Sequence, residues 1–139
     1  MNTLTIPTNP ISVLVVDEEP SILVAIASIL HADNIRALLA RNGPEAVEIA
    51  ERNYIPIDLV LTNVAIRERP EPKLLDWLRQ IRPGVRDLCM AACVDRGVIR
   101  IQLMSGSPGV ESAVWDGGLV ESIRKAASAP LVRRAGHLN

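Results

Sequence analysis

"ISVLVVDEEPSILVAIASIL", residues Ile11–Leu30, is the stretch from which the fold is read. Ser12 to Val16 is short, continuous and rich in β-branched residues, as a strand buried on both faces requires. Three acids follow, Asp17, Glu18 and Glu19. Pro20 comes next, and its fixed φ suits the first turn of a helix. Apolar residues then recur at helical spacing to Leu30 or His31. A buried strand thus hands over to a helix through a cluster of carboxylates.

The same handover repeats along the chain. "IRALLA", Ile35 to Ala40, reads as a second strand. "NGPEAVEIAERN", Asn42 to Asn53, is a helix with Pro44 near its start and Glu45 in its first turn, where a carboxylate favours the dipole. "IDLVLTN", Ile57 to Asn63, is a third strand, and "PKLLDWLRQIRPG" is a helix closed by Pro83 and Gly84. "DLCMAAC", Asp87 to Cys93, is a fourth strand. "GLVESIRKAAS", Gly118 to Ser128, is a last amphipathic helix with Leu119, Val120, Ile123 and Ala127 on one side. Strands alternating with helices argue an open α/β sheet with right-handed crossovers. One domain is expected over residues 11–129, with residues 1–10 and 130–139 as loose tails.

Composition narrows the function. The 139 residues are 48% apolar with a formal net charge of -1, which suits one well-buried domain and gives no electrostatic reason to bind nucleic acid. No apolar run reaches the roughly 18 residues of a membrane span. The first residues, "MNTLTIPTNP", lack the basic start and apolar middle of a signal peptide, so a cytoplasmic location is expected. Cys89 and Cys93 lie in an apolar segment and read as buried free thiols. There is no Phe, one Tyr and two Trp, which leaves little for stacking bases or flat cofactors. Trp77, beside Leu74 and Leu78, reads as the edge of the core.

The order of elements and the acids after the first strand resemble the receiver domain of bacterial response regulators. "VLVVDEEP" and "IDLVLTN" carry the resemblance. It implies a flavodoxin-like, doubly wound, five-stranded parallel sheet of order 2-1-3-4-5, with helices on both faces and the site at the carboxyl ends of the strands. In that family an acidic pair holds Mg²⁺ and an Asp ending the third strand takes a phosphoryl group. A Thr or Ser ending the fourth strand and a Lys ending the fifth bind the phosphoryl oxygens. The chemistry needs a carboxylate nucleophile, a metal and fixed donors.

Carried over by position, Asp17 and Glu18 match the acidic pair, the phosphoacceptor position falls on Asn63, and the Thr/Ser position falls on Ala92. Counting from Gly109, the Lys position falls on Asp116 and the aromatic switch position on Ala113. That count places "VESAVW" as the fifth strand. The segment 95–106 has two readings. Ile99, Ile101 and Leu103 alternate with Arg100 and Gln102 as in a strand, but a helix there completes the β/α alternation and is preferred.

An amide is a poor nucleophile, Ala92 has no hydroxyl, and Asp116 replaces a cation by an anion. The expectation is a degenerate phosphoacceptor pocket without catalytic residues, in a non-phosphorylatable receiver-like module of a phosphorelay or two-component setting. Its partner would be a protein, a sensor kinase or another regulator, or a second copy of the chain. No cofactor is expected, and Mg²⁺ at Asp17 and Glu18 would be weak at best, because hard cations need more oxygen ligands than two acids supply. The competing readings are a genuine phosphoacceptor with an unusual site and a flavodoxin-like small-molecule binder. One carboxylate of the acidic loop is expected to cap the first helix. That helix carries a second apolar stripe, Leu23, Ala27 and Leu30, beyond what one core face needs, and this stripe is expected to be an interface.

Overall fold

Val13, Val15, Leu59 and Leu61 point to one side of a sheet, while Leu14, Val16 and Val60 point to the other. This period-2 split is what strands buried on both faces demand. The computed structural model describes residues 10–52, 54–63, 74–104 and 115–128. Its elements are β1 (Ser12–Val16), α1 (Pro20–Ala32), β2 (Arg36–Ala40), α2 (Gly43–Ala50) and β3 (Leu59–Asn63). They continue with α3 (Leu74–Ile81), β4 (Arg86–Asp95), β5 (Val98–Met104) and α4 (Trp115–Ser128). The sheet order is β2-β1-β3-β4-β5, as the resemblance implies.

Among the described residues, two helices cover each face. Ile22, Leu23, Ile26 and Leu30 of α1 join Leu119 and Ile123 of α4 over one side. Ala46 and Ala50 of α2 join Leu74, Leu75 and Leu78 of α3 over the other. Asn42 caps α2, its Oδ1 accepting from the Glu45 N–H at 2.8 Å, while Glu45 reaches back to the Arg41 N–H at 2.8 Å. This reciprocal arrangement is close to a capping box. At the far end of α2, the Arg82 guanidinium donates to the carbonyls of Ala50 and Arg52, satisfying acceptors that the helix leaves open. Among the described residues, no helix is long and apolar enough to cross a membrane.

Three expectations are corrected. Of the segment 95–106, the described residues 95–104 are not helical: β5 folds back on β4 as an antiparallel hairpin, so the sheet is parallel only over β2, β1, β3 and β4. The reason is local. Arg96 and Gly97 both have positive φ, 52° and 79°, which is a type I′ turn, and the Ile-Arg-Ile-Gln-Leu alternation fits the returning strand. With β5 placed there, Trp115 starts a helix instead of ending a strand. Second, Leu23 and Leu30 are 5% and 0% exposed, within the core. Leu23 and Leu30 of the second stripe are therefore covered by this chain's own residues, Ala27 is half-buried against the same core, and Val24 is the large apolar residue that α1 turns to solvent. Third, Cys93 is exposed, because β4 runs on past its pairing with β3 and there, among the described residues, pairs with β5 alone; Cys89 is buried.

Candidate functional site

The carboxyl ends of β1 and β3 set Asp17 and Asn63 side by side. The Asp17 N–H donates to the Ala40 carbonyl at 3.0 Å, extending the β1–β2 ladder by one residue and fixing where the carboxylate emerges. That carboxylate is 2% exposed. Its Oδ1 accepts from the Glu19 N–H at 2.8 Å, and its Oδ2 accepts from Asn63 Nδ2 at 2.8 Å. The same Nδ2 donates to the Ala92 carbonyl at 3.3 Å. A carboxylate and a carbonyl are both acceptors, so the two-proton NH₂ must lie between them.

The acidic loop serves the backbone. Asp17 ties down the Glu19 amide, and Glu19 is the N-cap residue of α1. Glu19 makes no side-chain cap bond; its Oε2 accepts from the Ser21 hydroxyl instead at 3.0 Å. The expectation of a capping carboxylate is not met: Asp17, two positions before the N-cap, accepts from the N–H of the N-cap residue itself, and the Glu19 side chain bonds no first-turn N–H of α1. Glu18 lies exposed on the rim.

As arranged, both carboxylate oxygens of Asp17 already accept hydrogen bonds, and a donor stands against Oδ2. The atom of residue 63 that faces Asp17 is an amide nitrogen, which carries protons and offers no lone pair. Among the described residues, no group of three or more His, Cys, Asp or Glu is placed to hold a metal ion. At Asn63 the family's chemistry calls for an anionic oxygen, and a neutral donor stands there.

Of the positions singled out in the sequence, Asp17, Asn63 and Ala92 come together, with Glu18 adjoining. Ala92 takes part through its backbone carbonyl, which no side-chain motif could announce. Asp116 lies in the first turn of α4 and not at a strand end, since the fifth strand lies earlier in the chain. Ala113 falls outside the described residues. Asp58 precedes β3 at the opposite end of the sheet, where Oδ2 accepts from the Ser12 N–H at 2.8 Å. Trp77 is exposed on α3, outside the core edge expected for it.

No family model and no curated protein matches the chain. Solved structures do. The receiver domain of the hybrid histidine kinase CckA is 29% identical over 56% of this chain and 72% of its own, with a TM-score of 0.50. A response regulator receiver domain from Clostridium thermocellum is 26% identical over 57% of this chain and 63% of its own, with a TM-score of 0.51. A response regulator receiver protein from Sinorhizobium medicae, 17% identical, superposes over 86% of this chain and 96% of its own with a TM-score of 0.63. With the strand order β2-β1-β3-β4-β5, these likenesses give the chain a receiver-type, flavodoxin-like fold whose last strand is reversed.

Proposed function

We propose that the chain is a receiver-like signalling or scaffolding module of a two-component setting that acts through protein contacts and accepts no phosphoryl group. The observation that carries this reading is the Asn63 amide held between the Asp17 carboxylate and the Ala92 carbonyl. An amide shares its nitrogen lone pair with its carbonyl and is not a nucleophile at neutral pH. The two described groups that its Nδ2 bonds are acceptors, so a phosphoryl oxygen arriving beside them would meet Asp17 and a carbonyl where stabilising donors are needed. Ala92 adds a methyl group and no hydroxyl.

Divalent cations bind weakly on this reading, in the millimolar range as an order of magnitude, because Asp17 and Glu18 leave most of the coordination shell to water. The partner is a protein, in keeping with the sensor-kinase and regulator context of the neighbouring structures, and no catalytic role is assigned to the chain. The test is a heteronuclear NMR titration with beryllofluoride and Mg²⁺, a mimic of the bound phosphoryl group. The side-chain amide resonances of Asn63 and the backbone amides of Asp17 and Ala92 should stay in place. Saturable shifts centred on those three residues would revive the reading as a phosphoacceptor with unusual residues.

A further inference from the structure

β5 (Val98–Met104) ends the sheet and, among the described residues, pairs with β4 alone. The outer side of such a strand carries a row of backbone N–H and C=O groups able to template another strand. Natural edges are blunted by proline, bulges, several charged side chains, inward-pointing charge or a covering segment. β5, "VIRIQLM", has no proline, and its pairing with β4 is regular over the whole strand. Its single charge, Arg100, points away from the core face. Val98 remains 54% exposed.

We propose that this edge pairs with β5 of a second copy of the chain, antiparallel, about a twofold axis at Ile101. The register follows from the strand's own sequence. With Ile101 on the axis, Ile99 opposes the partner's Leu103, Arg100 opposes the partner's Gln102, and Val98 opposes the partner's Met104. All of β5 is then paired, apolar residues meet apolar ones, and no like charges meet. An axis at Arg100 would set two guanidiniums face to face, which is destabilising. An axis at Gln102 would leave Val98 and Ile99 unpaired and set Arg100 against the partner's Met104. The row Ile99, Ile101, Leu103 faces the side that α1 and α4 cover, so the dimer continues that layer across the axis. Main-chain bonding of this kind is a general mode of strand addition. The pairing does not depend on whether Asn63 reacts.

Gln102 tests the register because it is exposed and faces the partner's Arg100 twice in the symmetric pair. Sedimentation equilibrium of the full chain should show a concentration-dependent dimer. Gln102→Lys creates two like-charge pairs and should raise its dissociation constant roughly two- to thirtyfold, and Gln102→Glu should lower it by a similar factor. A monomer at every concentration overturns the proposal, including the case in which residues 105–114 of the same chain cover the edge. A dimer indifferent to both substitutions overturns it too, since the interface then lies elsewhere. If the lysine variant proves unfolded by circular dichroism, the direction of the Gln102→Glu effect alone decides.

Discussion

Asn63 Nδ2 lies 2.8 Å from Asp17 Oδ2, so a neutral amide sits directly against the one carboxylate that is buried at the strand ends among the described residues. On the proposed reading, this contact stands where the receiver chemistry would need a second carboxylate and a cation between the two. It also makes the pair self-sufficient: a buried charge is tolerable when hydrogen bonds satisfy it, and Asp17 has one on each oxygen.

Asn63→Asp should therefore destabilise the protein at neutral pH. The substitution removes a charge-assisted bond and sets two carboxylates side by side, at a cost of roughly 2–4 kcal/mol. Two relief routes are predicted, lowering the pH so that the pair shares a proton, and adding Mg²⁺. Thermal denaturation at neutral and mildly acid pH, with and without Mg²⁺, checks this. A variant as stable as the parent without metal would mean that the Asn63–Asp17 bond contributes nothing.

Leu30→Ala should cost roughly 2–5 kcal/mol, as a large-to-small change at a fully buried leucine. Leu23→Glu should prevent stable folding, because the carboxylate would enter the layer between α1 and the sheet. Chemical denaturation measures both. A folded Leu23→Glu protein with weaker association would restore the interface once expected for this stripe.

Residues differ in how far their roles could be read from sequence. β1, β3 and their acids were legible because continuous β-branched runs and a proline at a helix start have few alternative meanings. The two-stripe pattern of α1 was misleading. A helix against a twisted sheet and beside a second helix, α4, uses more than one narrow stripe, and Leu23 and Leu30 lie in that wider contact. The hairpin was visible in the alternation of residues 98–103 and in Gly97. The regular β/α alternation of the rest of the chain argues against it, since it calls for a helix after every strand. The role of Ala92 was not legible, because only its carbonyl participates.

The turn itself gives a prediction. A Cβ added at Gly97 meets nothing within 4 Å, so Gly97→Ala reports backbone strain alone, about 1–2 kcal/mol at its φ of 79°. Arg96→Asn should stabilise the hairpin by about 0.5–1 kcal/mol, since asparagine tolerates the left-handed region that a type I′ turn requires. Equal stability of parent and both variants in urea would argue against the hairpin.

Glu45 sets a pH dependence. The Arg41 backbone N–H, and then its guanidinium, hold this carboxyl below its ordinary value of 4.5. A carboxylate with a lowered folded-state pKa adds stability above its unfolded value, and that contribution disappears as pH falls through the folded one. Glu45→Gln should thus be slightly less stable than the parent at neutral pH, with the difference shrinking below pH 4.5. A constant difference across that range, followed by thermal melts, would remove Glu45 from the acid limb.

The most direct measurement is the intact mass of the protein after incubation with acetyl phosphate and Mg²⁺. The account predicts an unmodified mass at every incubation time, because residue 63 offers an amide already bonded to Asp17 and Ala92. A stoichiometric, Mg²⁺-dependent gain of one phosphoryl group, released by hydroxylamine as an acyl phosphate would be, would contradict it.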